Sequence, residues 1–208
     1  YGLRWKKTFG KSDLSFMMAS LIDNDYAYRL DGVNGDGKYI FTRTLKRYRM
    51  IGLTFNYVKG NFLFKGELGK KSKKAFNDSA YQLIEKDVAD VAFALEYSAG
   101  GSYTATLEAT NSRIIDWTEE IQGVPQDSSS LVFSWSKSFL NEDLSVNWMS
   151  SYSMPYISWF HNLGVTYDWD DNISLFLDIY YPDIKDDRNG YWVYRDQKQV
   201  AFKAEYLF

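Results

Sequence analysis

Val200-Ala201-Phe202-Lys203-Ala204-Glu205-Tyr206-Leu207-Phe208 ends the chain. Val200, Phe202, Ala204, Tyr206 and Phe208 take every second position, and Ala201, Lys203, Glu205 and Leu207 fill the places between. Successive side chains of an extended strand point to opposite faces, so this segment has one apolar face and one mostly polar face. A helix is excluded, because an i, i+3, i+4 spacing would put Lys203 among its apolar neighbours. The same alternation recurs upstream. Ile173, Leu175, Leu177, Ile179 and Tyr181 stand against Ser174, Phe176, Asp178 and Tyr180, and Leu163, Val165, Tyr167 and Trp169 against Asn162, Gly164, Thr166 and Asp168. Further apolar sets fall at Leu144, Val146 and Trp148; Leu131, Phe133 and Trp135; Tyr103, Ala105, Leu107 and Ala109; Val91, Phe93, Leu95 and Tyr97; Phe62, Phe64 and Leu68; Ile51, Leu53, Phe55 and Tyr57; Leu14, Phe16 and Met18; and Leu3, Trp5 and Phe9. The spacing predicts about eleven strands in an all-β, antiparallel fold.

Composition narrows what such a sheet is for. With 45% hydrophobic and 25% charged residues among 208, the chain has enough apolar surface to fold. Aromatic residues reach 18%, including 17 Tyr and 7 Trp, as expected where amphipathic rings serve two membrane interfaces. Mean hydropathy is nonetheless −0.40, and no stretch approaches the roughly 20 apolar residues of a spanning helix. A transmembrane β-barrel reconciles these facts, because only alternate residues of each strand face lipid. A soluble sandwich, the competing fold, would have to bury the same aromatic residues against a second sheet. The absence of cysteine removes disulfides, thiolate metal sites and cysteine nucleophiles. A net charge of −3 argues against nucleic acid. No signal peptide opens the chain, so one is expected to have been removed or to lie upstream.

Short connections are expected at 10–13, 59–61, 98–102, 140–143 and 168–172, and long ones at 23–48, 71–87, 115–129, 152–156 and 182–198. Tight turns on one side and long loops on the other are the asymmetry of bacterial barrels. Pro125, Pro155 and Pro182 all fall in or beside the long loops, where no ladder hydrogen bond is lost. A last strand running down to Phe208 makes the first strand run down as well. Bacterial single-chain barrels have even strand numbers, so residues 1–208 are expected to be a single barrel segment lacking at least one N-terminal strand.

The ending Ala204-Glu205-Tyr206-Leu207-Phe208, aromatic at the last and third-from-last positions, resembles the C-terminal signature of Gram-negative outer-membrane β-barrels, porins among them. That resemblance implies recognition of Tyr206 and Phe208 by the barrel-assembly machinery and residence in the outer membrane. Leu63-Phe64-Lys65-Gly66-Glu67-Leu68, with Lys73-Lys74-Ala75-Phe76 and the strand from Val88 to Tyr97, is similar to a proteobacterial family of large outer-membrane proteins of unassigned function. This similarity spans roughly 61–117, carries no catalytic motif, and implies a larger barrel and export of hydrophobic compounds.

In this phase Arg4, Lys6, Lys65, Glu67, Asp90, Glu96, Glu108, Asp178, Lys203 and Glu205 point inward and are candidates for lining an aqueous pathway. The alternative is a filled lumen in which Lys65 pairs with Glu67 and Lys203 with Glu205 across strands. Arg43, Lys46, Arg47 and Arg49, and again Lys70, Lys71, Lys73 and Lys74, cluster beside expected outer loops. They are candidates for lipopolysaccharide phosphates or for a solvated rim of mixed charge. Trp5, Trp135, Trp148, Trp159 and Trp169 suit an interfacial girdle. In Asp31-Gly32-Val33-Asn34-Gly35-Asp36-Gly37 the glycine and arginine at ligand positions exclude an EF-hand. Asn34 and Asp36 leave only a loose oxygen site, against the simpler expectation of a Gly-rich loop. His161, on the apolar phase, is the one foothold for lipid-modifying catalysis, and no serine–histidine–acid spacing supports it. Metal and cofactor are therefore assigned none, and the chain is not read as an enzyme. The expected function is passage or export of a small or hydrophobic solute. The alternative is a structural barrel that anchors or encloses a periplasmic or lumen-filling protein.

Overall fold

The structure, a computed structural model, describes every residue except Gly101, and Tyr26 without its side chain. Among the described residues eleven strands form one antiparallel sheet whose spatial order is the sequence order: β1 (Gly2–Phe9), β2 (Ser12–Val33), β3 (Tyr39–Lys59), β4 (Phe62–Asn77), β5 (Leu83–Ala99), β6 (Tyr103–Ile114), β7 (Asp127–Phe139), β8 (Leu144–Met154), β9 (Ser158–Asp168), β10 (Ile173–Ile184) and β11 (Gln199–Tyr206). The period-two pattern thus produces the expected strands. No helix among the described residues is long and apolar enough to cross a membrane, which has no bearing on crossing by strands.

Tight turns join the strands at one set of ends. Gly10 and Gly60 hold φ of 55° and 60° there, a region open to glycine without a Cβ clash. At the opposite ends the connections differ from expectation. β2 and β3 run on to Val33 and Tyr39, so the long loop expected at 23–48 is a five-residue turn at 34–38. Asn34 closes it, its Oδ1 accepting from the Asp36 and Lys38 amides at 3.0 and 2.9 Å. Likewise β4 reaches Asn77, which places Lys70, Lys71, Lys73 and Lys74 within a strand. The segments 115–126 and 185–198 remain long. Pro182 lies inside β10 rather than in a loop, opposite Phe160 of β9. It is tolerated because pairing of β10 with β11 ends at Tyr180, leaving that flank of the proline with no ladder to break.

The described residues divide into two compact units. The first comprises Tyr1–Asn56, Gly66–Ala92 and Asn111–Ser128, and the second Tyr57–Lys65, Phe93–Thr110 and Ser129–Phe208. In the first, Val88, Ile114 and Ile121 form a buried cluster, with Phe76, Ile84 and Trp117 against it. Val88 and Ile114 alternate with the exposed apolar residues of β5 and β6, so this cluster lies on the opposite, polar-phase side. Segment 115–126 supplies Ile121, held by a bridge to Asp78 and by the Gln122 amide on Asn77 O at 2.8 Å.

Candidate functional site: the polar face and its apolar reverse

Register fixes the two faces of β7 to β11 in the second unit. Trp135 stands opposite Trp148, then Leu163, Ile179 and Val200, forming one row that is apolar from end to end. The neighbouring row on the other face runs Ser136, Asn147, Gly164, Asp178 and Ala201. Beyond it lie Ser138, Ser145, Thr166, Phe176 and Lys203. The apolar row is not covered: Trp148 is 42% exposed and Val200 72%.

Aromatic contacts follow the apolar face near the tight turns. Tyr57 meets Phe64 at 6.2 Å, Phe62 meets Tyr97 at 4.9 Å, Tyr97 meets Tyr103 at 5.9 Å, and Tyr103 meets Trp135 at 6.3 Å between ring centroids. Tyr167 and Trp169 add a pair at the end of β9. At the other end of β8 and β9, Tyr152 and Trp159 lie 4.6 Å apart. Trp159 and Tyr167 bound the apolar run of β9; at about 3.3 Å per residue they are roughly 26 Å apart along the strand, or about 20 Å of height at the roughly 40° tilt of a barrel strand.

Of the ten charged residues expected in the polar phase, Lys6, Lys65, Asp90, Glu96, Lys203 and Glu205 take part in ion pairs. Lys65 binds Glu96 at 3.0 Å, not Glu67: facing strands bring the chain's distant parts closer than residues two apart on one strand. Lys203 does bind Glu205 at 2.6 Å, along β11 rather than across strands, with its Nζ 5.0 Å from the Phe176 ring. Asp178 touches the Cα side of Gly164, where a Cβ would come 3.3 Å from its Oδ1. Glu108 is exposed on β6. In the first unit, Arg4 donates to Ser15 Oγ at 2.9 Å, Lys6 lies 3.6 Å from Asp13, Lys71 binds Asp90 at 2.9 Å, and Glu67 is exposed.

The basic clusters are split by the same alternation. Arg43, Arg47 and Arg49 share the exposed phase of Ile51, whereas Lys46 falls in the opposite phase with Tyr48 and Met50. They therefore lie on a strand, not beside a loop. Arg47 donates to Ser20 O at 3.0 Å and stands 5.7 Å over the Tyr1 ring. Three lysines of the second cluster are paired: Lys70 binds Asp87 at 2.9 Å, Lys71 binds Asp90 at 2.9 Å, and Lys74 binds Asp23 at 2.8 Å and Asp25 at 2.9 Å.

His161 sits on the apolar face between Trp159 and Tyr181, and its Nδ1 is 2.9 Å from Ser150 Oγ. The sequence spacing did not suggest Ser150, which only the β8–β9 register reveals. A serine–histidine pair needs an orienting acid and oxyanion donors. Among the described residues no carboxylate is bonded to His161, and the surrounding backbone N–H groups belong to a strand ladder. The hydroxyl does satisfy a polar ring nitrogen on an apolar surface.

No protein-family model and no curated protein matches this chain.

Proposed function

We propose that this sheet is wall to a β-barrel in the outer membrane of a Gram-negative bacterium, and that its polar face lines a path for a small or hydrophobic solute. The inverted burial carries this reading: large apolar side chains of every strand are exposed on one face, against only Val33, Ile40, Val58 and Met149 exposed in the opposite phase, while the buried hydrophobic residues Val88, Ile114 and Ile184 belong to the polar phase. A water-soluble sandwich would have the reverse arrangement, since an apolar face of this extent is covered in a monomeric soluble protein. Hydrocarbon is the partner such a face requires, and aromatic contacts along its margin suit the lipid interface.

Lipid also sets a condition on the sheet. β1 and β11 end the strand order and are exposed along their whole lengths. Unpaired backbone groups cost several kcal/mol each in hydrocarbon, so in the membrane each edge requires a strand partner. Tyr206 and Phe208 present the signal read by the assembly machinery. Arg43, Arg47 and Arg49, beside Ile51 on the lipid-facing phase, suit the phosphates of lipopolysaccharide.

Reconstitution of the detergent-purified protein in planar bilayers tests passage. Discrete conductance steps are expected. A silent protein that co-purifies with a second polypeptide would favour a barrel enclosing a partner instead.

A further inference from the structure

We propose that residues 185–198, between β10 and β11, form a strap that lies across the polar face and narrows the path there, with Asn189 and Tyr191 as its anchors. This rests on the polar face being the water-facing side of the wall.

Burial at the end of β9 and β10 is one-sided. Ser158, Pro182 and Ile184, all in the polar phase, are 1%, under 2% and 6% exposed. Trp159 and Tyr181, their neighbours in the apolar phase, are 36% and 43% exposed. A solvated loop would leave both sides wet. The cover is the strap itself: Asn189 Nδ2 donates to Tyr156 O at 2.8 Å and to Ser158 Oγ at 3.1 Å. The Tyr191 ring meets Phe160 edge-on, 5.5 Å between centroids, and Phe160 stacks on Tyr180 at 6.2 Å. Aromatic residues in the polar phase therefore have a role, as the seat of the strap.

Internal bonds hold the strap in a defined shape. Arg188 donates to the Asp186 carboxylate from its backbone N, Nε and Nη2 at 3.0, 2.9 and 2.7 Å, and the Asn189 amide returns to Asp186 O. A 3₁₀ turn at Trp192–Tyr194 follows, with Arg195 4.5 Å over the Trp192 ring. A segment ordered in this way docks as a unit, so loss of its two anchors should free it without unfolding the ladder beneath.

The chain has no cysteine, so Ser158→Cys and, separately, Ile184→Cys report cover of the polar face. In the protein reconstituted in vesicles, a membrane-impermeant maleimide should label either cysteine about tenfold faster once Asn189→Ala and Tyr191→Ala are added, or once 186–197 is replaced by a short Gly-Ser turn. Equal labelling rates with and without the anchors would overturn the strap. In planar bilayers the shortened protein should carry a several-fold larger conductance step, and an unchanged step would overturn its narrowing role. If neither protein passes current, the proposed passage fails, and the labelling rates still decide whether the strap covers the face.

Discussion

Gly66 lies under a ring: a Cβ at that position would come 2.1 Å from Phe55 Cε1. An aromatic side chain folded over a cross-strand glycine fills the gap left on the pleat, so the pair acts as one packing unit. Gly66→Ala is expected to destabilise the protein by about 1–3 kcal/mol in denaturant titrations, and Phe55→Ala together with Gly66→Ala by less than the sum of the single effects. Strict additivity would show that the ring does not depend on the glycine. Lys74 raises a different issue, because the Asp23 side chain it neutralises is only 9% exposed. Lys74→Met should cost about 3 kcal/mol by leaving that carboxylate without a cation, and adding Asp23→Asn should recover most of it. Phe208 is fully exposed and touches little beyond the Tyr206 ring, 5.7 Å away. Phe208→Ala should therefore impair membrane assembly while leaving the unfolding midpoint of the assembled fraction unchanged. Normal insertion would remove the assembly role of the C-terminal signature.

At the scale of elements, the alternation of apolar and polar residues made the strands legible wherever one face is apolar, as from Leu163 to Trp169. It failed beyond that band for a physical reason. In Asp23-Asn24-Asp25 and Arg43 to Arg49 both phases carry polar residues, so the contrast vanishes although the backbone ladder continues unchanged. Strand length is set by hydrogen bonding there and not by hydrophobicity. The ion pairs were only partly legible: Lys203 and Glu205 do pair, but along β11 and not across strands as expected, and Lys65 with Glu96 required the pairing of β4 with β5. The strap was marked in the sequence as the long connection expected at 182–198, and its seat only by Phe160, Tyr180 and Pro182 in a polar phase. Within it, the hydrogen bonds from Arg188 hold Asp186 down to about 2 from the usual 3.8. A depressed carboxyl contributes above its unfolded value and loses that contribution as pH falls through the folded one. Hydrogen-exchange protection of 185–198, corrected for intrinsic rates, should thus stay flat from about pH 8 to pH 5 and weaken only between roughly 4 and 2. A loss near pH 6 would contradict the Asp186–Arg188 anchor.

For the whole molecule, the central claim is that one face of the sheet meets lipid and the other meets water. It accounts at once for low mean hydropathy, exposed aromatic residues and apolar clusters on the polar side. The basic phase of β3 follows from the same assignment: Arg43→Gln, Arg47→Gln and Arg49→Gln together should lower co-purifying lipopolysaccharide, while Lys46→Gln, in the opposite phase, should not. The most direct measurement places single cysteines at Val146, Asn147, Trp148 and Met149 on β8, attaches a spin label to each in reconstituted membranes, and compares collision with oxygen and with a water-soluble nickel complex. Positions 146 and 148 should favour oxygen, and 147 and 149 the nickel complex, in strict alternation. Four positions equally open to the nickel complex would place both faces in water and contradict the account.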